Sequence, residues 1–304
     1  MNVENLRESA LVRGATETSR PTAWWLAAML IFGVGVVAVG LVVSVLYGMV
    51  LASTPGSLGA QWMEFFTNAG ALLALWLWLR FKERRAFASV GFRDSAPLRQ
   101  FGIGLLIGAG MITLSLLILL ATGQYQLAPS PAQALGGTAA LLPVVMLLVV
   151  WAVQSSTEET LMRGYLLQTA ALQLPGWLAI LLPGLLFSAV HFATEGILPV
   201  AGINIAVFAI LASFVALRQG SLWMACGIHT GWNWFQGNVF NVPVSGNAYT
   251  TGIVHLRPVD TAPQWLSGGA FGPENSVVVT LVWGVAALVA YRRFRRCGHT
   301  AAPQ

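Results

Sequence analysis

The chain has 304 residues, 56% hydrophobic and only 9% charged, with 12 tryptophans, 15 phenylalanines and a formal net charge of +5; its mean hydropathy is +0.71. An ordinary soluble domain is about 45–50% apolar and about 25% charged, so this composition excludes a water-covered globule and requires a surface that faces lipid. It shows no ~10-residue alternation of the kind that builds an outer-membrane barrel, and its basic balance does not mark a nucleic-acid partner, because the cations in FKERR (81–85) and YRRFRR (291–296) adjoin apolar runs as the positive-inside rule arranges them.

Residues 1–22 are polar and mixed in charge, and read as a mobile cytoplasmic tail. Eight apolar segments follow, near 24–47, 61–80, 99–122, 138–170, 174–193, 197–217, 220–240 and 276–291. Several approach the roughly 20 apolar residues that a membrane-spanning helix needs. The expected fold is therefore an all-α polytopic membrane protein of about eight transmembrane helices. The first run, Trp24 to Tyr47, is too long for the apolar region of a cleaved signal and reads as a retained helix. The organisation is a tail (1–22), three N-terminal helices (23–137), a core (138–240), a long connection (241–275), and a last helix with a basic tail (276–304). No fixed-period repeat or low-complexity tract is present. Arg7, Arg13 and Arg20 precede the first segment, six cations lie between the second and third, and four arginines end the last. The stretches 48–60 and 123–137 hold no Lys or Arg, and 241–275 holds only Arg257. Eight crossings with both termini cytoplasmic satisfy this pattern, which puts 241–275 outside. Cys226 and Cys297 fit neither a disulfide framework nor a zinc ribbon; Cys226 reads as a small core residue.

The stretch QSSTEETLMRGYLLQ (154–168) follows the apolar run LLPVVMLLVVWAV and carries Glu158, Glu159 and Arg163. An ionisable side chain at the bilayer centre costs roughly 2.5–3.5 kcal/mol or more, so each is a functional candidate by default. Glu159 and Arg163 are four apart, acid first, the favoured order for an ion pair that shapes the helix. Glu158 points about 100° away and reads either as a solvated carboxylate or as a reactive one. His191 closes FSAVH, four residues after Phe187, and is either a hydrogen-bonded core histidine or a catalyst. His229 and Asn233 in HTGWN share one helix face, as interhelical glue or as part of a site. Glu195 lies just past the fifth segment. Pro175–Gly176 marks a turn, and both Glu158 and His191 stand roughly 24 Å from it by helix rise, level across a hairpin. His229 stands roughly 14 Å after the RQG turn (218–220). It meets them only if that hairpin projects some 10 Å further, which sets the cluster within the membrane toward the cytoplasmic side.

In order, EETLMR, FSAVH and HTGWN read as EExxxR, FxxxH and HxxxN. Across roughly 139–240 this resembles the CPBP family, the CAAX-protease and bacteriocin-processing (Abi) intramembrane endopeptidases; GGAFGPE (268–274) is similar to a stretch before the last helix of bacterial members. The resemblance implies peptide-bond hydrolysis in the membrane of a membrane-associated peptide or protein. It implies Glu158 and His191 as the pair that activates water and His229 and Asn233 as oxyanion donors, with Glu159, Arg163 and Phe187 in support. The chemistry is coherent: a positioned carboxylate serves as general base, and preorganised donors at an oxyanion contribute roughly 3–4 kcal/mol. No cofactor is required on this reading. The alternative is zinc or another divalent metal on Glu158, His191 and His229, since the family was long classed with metalloproteases; no HExxH is present. RRCGHTAAPQ is not a CAAX box. The family type points to a bacterial cytoplasmic membrane, with a leader peptide or membrane protein as substrate and lipid as the surround. The rival readings are a transporter with a Glu/His proton relay and a catalytically idle scaffold or immunity protein of the same family. Nothing in the sequence fixes an oligomeric state.

Overall fold

A computed structural model describes residues 3–33, 40–42, 45, 54–130, 134–195 and 199–296, the side chains of 190–195 excepted. It is mostly helical. The apolar segments carry α1 (Trp24–Leu30), α2 (Leu58–Leu77), α3 (Pro97–Ala121), α4 (Leu141–Glu159), α5 (Gly176–Glu195), α6 (Pro199–Gln219), α7 (Trp223–Trp234) and α8 (Val277–Arg296). Of the first apolar segment, the described helix runs to Gly33 and most of 34–47 lies outside the described residues. Local chemistry sets several helix starts. Ser57 accepts the Ala60 N–H at 3.2 Å ahead of α2, satisfying a donor that the helix leaves orphaned. Pro97 opens α3, where its missing N–H costs nothing.

Among the described residues, four helical stretches are long and apolar enough to cross a membrane: Pro97–Ala121, Gly137–Ala171, Pro199–Gln219 and Val277–Arg296. Leu106, Leu117, Leu142 and Leu281 on these stretches are each more than half exposed. A surface of that kind suits lipid rather than water. Inside, α7 lies against α3, α4 and α6; α6 packs on α5 and α8; and α2 packs on α4. The core is continuous through Ile112, Leu116, Phe208, Trp232 and Trp283.

The connections sort to two ends, as the charge pattern predicts. At one end β1 (Tyr125–Leu127) pairs antiparallel with β2 (Leu256–Pro258), Tyr125 opposite Pro258. Leu135 bridges Thr251, and the Thr250 N–H donates to the Gly56 carbonyl at 2.9 Å. The three cation-poor connections thus form one cap. The two strands are a small departure from an all-α fold. They exist because two extended connections meet with unpaired backbone groups that must be satisfied.

At the other end the cation-rich segments meet. The N-terminal stretch does not behave as the mobile tail that its polarity suggests. Val3–Glu17 forms short helical turns, with Leu6, Leu11 and Val12 buried. Arg7 donates to the Leu172 carbonyl at 2.8 Å and the Ala171 carbonyl at 3.3 Å. Beside it Arg85 forms a buried pair with Glu83 at 2.7 Å and donates to Gln168 and Ser89 at 3.1 Å each. Tyr165 donates to Glu83 at 2.9 Å. The apolar anchors Leu6, Leu11 and Val12, hidden in the net polarity of the stretch, are what tie the tail down.

Candidate active site

The site is built on the last turns of α4 and the middle of α7. Gln154 and Glu158 are one turn apart, and the Gln154 amide donates to Glu158 Oε1 at 2.6 Å. Asn233 Nδ2 on α7 donates to Gln154 Oε1 at 3.1 Å, so the two helices are joined through a chain of amides that ends on Glu158. Glu159, the next residue round the helix, is fully buried. Arg163 Nη1 donates to its Oε1 at 3.0 Å, with both side chains out of solvent. The ion pair expected from the i,i+4 spacing is thus present. After Glu159 the helix widens from Thr160 to Leu166, the i→i+5 geometry that recurs at functional sites.

The structure adds a contact that spacing did not reveal. His229 Nδ1 lies 2.9 Å from the same Glu159 oxygen. A carboxylate beside Arg163 accepts, so Nδ1 carries the proton and the imidazole is oriented by Glu159. The other nitrogen, Nε2, is thereby turned to Glu158 Oε2 at 3.6 Å. Phe208 holds the ring edge-on, with centroids 5.0 Å apart. Glu159 is therefore more than a scaffold partner for Arg163, because it also positions the histidine. Glu158 keeps about a quarter of its side chain exposed against 8% for His229, and both line one cavity of about 260 Å³ together with Asn233 and Phe187.

His191 falls on α5 by its backbone, but its side chain, like that of Glu195, lies outside the described residues. Six polar residues of the cavity escaped the sequence reading: Glu64, Asn68, Gln154, Ser245, Asn247 and Glu274. The signal for two of them was available. Gln61, Glu64 and Asn68 recur at i, i+3 and i+7 on α2, one helix face, inside an otherwise apolar run. Glu274 belongs to GGAFGPE, and Gln236 donates to its Oε2 at 2.5 Å. Burial pushes the Glu274 carboxyl up to about 7, against the hydrogen bond from Gln236 that pulls the other way.

A metal would need a converging donor set. Among the described residues no group of three His, Cys, Asp or Glu side chains forms one. Glu158 and His229 are two donors, Glu159 is engaged by Arg163, and the Asn233 amide faces Gln154 as a donor. Catalytic zinc takes three protein ligands, so the described residues do not by themselves make such a site. What they make is a carboxylate, an oriented imidazole and an amide lining one cavity.

Residues 140–235 match the family model described as type II CAAX prenyl endopeptidase Rce1-like. The CAAX-protease resemblance holds over this core. The match begins at the start of α4 and ends just after Asn233, so it contains EETLMR, FSAVH and HTGWN and covers about a third of the chain. No curated protein and no solved structure matches the chain.

Proposed function

We propose that the protein is an intramembrane endopeptidase that hydrolyses a peptide bond in a membrane-associated peptide or protein. What supports this most is the facing pair, Glu158 Oε2 and His229 Nε2, 3.6 Å apart on one cavity, with the second histidine nitrogen held by a buried carboxylate. On this reading Glu158, aided by His191, takes a proton from water, and the oxygen attacks the scissile carbonyl. In its imidazolium form, with Nδ1–H on Glu159, His229 donates its Nε2–H to the resulting oxyanion. Asn233 adds a second donor, since one of its two amide hydrogens engages Gln154 and the other remains. Collapse of the tetrahedral intermediate breaks the C–N bond, and the proton on Glu158 passes to the leaving amine. Each oxyanion donor is worth roughly 3–4 kcal/mol in such sites.

The setting is a bacterial cytoplasmic membrane crossed eight times with both termini inside. The mechanism requires no metal. Zinc held by Glu158, His191 and His229 is the alternative, and elemental analysis of active protein with chelator treatment decides it. Stoichiometric zinc whose removal stops cleavage and whose return restores it establishes the metal; cleavage that survives complete metal removal establishes the water-activating pair. The function itself is tested by substrate-trapping proteomics with Glu158→Ala. Peptides that accumulate on the variant and are cleaved by the wild type support the reading, and wild-type turnover by the variant removes Glu158 from it.

A further inference from the structure

The two ends of the cavity differ. From Glu159 to Ala171 every residue of α4 and its wide-turn continuation is buried, whereas Glu158 is not. Protein therefore surrounds the helix on all sides between Glu158 and the cation-rich end. That end is closed by the ordered N-terminal turns around Leu6, Leu11 and Val12 and by the buried Arg85–Glu83 pair. Backbones there are in contact: a Cβ on Gly164 would meet the Val90 carbonyl oxygen at 2.5 Å, and one on Gly176 the Val3 carbonyl oxygen at 1.8 Å. In the other direction the same cavity continues from His229 and Asn233 past Glu64 to Ser245, Asn247 and Glu274. Asn247 is exposed. The cavity thus leads to the cap made by the 241–275 connection, and its walls along the way mix polar groups such as Asn68 and Asn233 with aromatic ones such as Phe208 and Trp232.

We propose that substrate reaches Glu158 and His229 from the 241–275 end, and that it is a peptide segment presented at the outer face of the membrane. The proposal deepens the protease reading and rests on it for the word substrate. Charge supplies the side. Of the 16 Lys and Arg residues, Arg163 is buried in mid-helix and Arg257 alone lies at the open end; the rest lie at the closed end. Cations are retained on the cytoplasmic side, so the mouth faces out. The mixed lining also suits a peptide segment, with Glu64, Asn68 and Glu274 placed for backbone groups and Phe187, Phe208 and Val244 for apolar side chains. The expectation that the cluster lies toward the cytoplasmic side gives only its depth; the route to it runs from the opposite end.

Access is measured with single cysteines in a Cys226→Ser/Cys297→Ser background: Asn247→Cys at the mouth, Asn233→Cys on the floor and Glu8→Cys at the closed end. The probe is a charged, membrane-impermeant methanethiosulfonate applied to right-side-out and inverted vesicles. Expected are modification of the 247 and 233 variants at least tenfold faster in right-side-out vesicles, and of the position-8 variant only in inverted ones. Modification of the 233 variant from the inverted side alone, or equally from both, overturns the proposal. So does a 233 variant that reacts from neither side while 247 reacts from outside, because the floor and mouth are then not connected. If the double serine background does not fold, the same variants retaining the fully buried Cys226 serve. Labelling needs no turnover, so a wild-type protein that cleaves nothing counts against the protease reading, while labelling of the variants as expected leaves the route standing.

Discussion

At the scale of single residues, Glu159 carries two duties that mutation can separate. Arg163→Ala leaves a buried carboxylate without its cation, and breaking a buried pair this way costs about 3–5 kcal/mol. A large drop in melting temperature of the detergent-solubilised protein is expected. Glu159→Gln removes the anion that orients His229 yet keeps the volume. Cleavage should fall while the remaining activity keeps its dependence on Glu158, read as turnover of any trapped substrate. Glu274 offers a pH test. Its folded carboxyl titrates near 7 rather than at 4.5 because of burial. The folded state thus binds more protons than the unfolded state between those values, and stability falls as pH rises through that window. The loss is on the order of 3 kcal/mol by pH 8. Glu274→Gln keeps the contact with Gln236, and should melt higher than wild type at pH 8 and alike at pH 4.5. An equal gain at both values would show that titration is not the cause. The sequence exposes Glu158, Glu159, Arg163, His229 and Asn233, because charge in an apolar run is conspicuous. It did not yield the Glu159–His229 contact or the part played by Glu274, since both depend on which helices become neighbours across 70 residues or on a loop folding back.

At the scale of elements, the position of His229 is set by how closely α7 approaches α3. Gly104 and Gly108 on α3 face Gly227 and Gly231 on α7, two small-xxx-small rows of the kind that let membrane helices touch backbone to backbone. A Cβ on Gly108 would stand 2.0 Å from the Ile228 carbonyl oxygen, and one on Gly231 2.1 Å from that of Leu105. His229 lies midway along the α7 row. Gly231→Ala must push the helices apart, at about 1–3 kcal/mol for overpacking. A displacement of about 1 Å at a catalytic group can cost 10²-fold in rate, so activity should fall far more than stability. Gly110→Ala, where an added Cβ meets nothing, is the control and should leave both unchanged. In each of the eight apolar segments the described residues include a helix, legible because the length of an apolar run suffices for that. The glycine rows were overlooked in the sequence, where each glycine looks like a gap in an apolar run until the facing row is known. The strands β1 and β2 carry no alternation long enough to detect at three residues each.

At the scale of the whole molecule, one asymmetry organises everything else: cations, N-terminal turns and buried ion network at one end, the strand pair and cavity mouth at the other. The sequence anticipates the sorting, because Arg and Lys positions alone separate 48–60, 123–137 and 241–275 from the rest, and the structure brings those three cation-poor connections together. Which end faces the cytoplasm is a separate matter, set during insertion by the cost of moving cations across the membrane. Reporter fusions at positions 54, 130 and 255 should report the outer side, and fusions at 90 and 300 the inner side. The β1–β2 pairing makes the outcome all-or-none for two of these, since 130 and 255 flank strands that are hydrogen-bonded to each other and cannot lie on opposite faces. A cytoplasmic signal at both would invert the molecule as a unit, leaving the fold and the site intact but turning the cavity mouth, and with it the class of substrate, to the inside. A split result, with 130 inside and 255 outside, would contradict the strand pairing itself and the cap that it builds over Glu158 and His229.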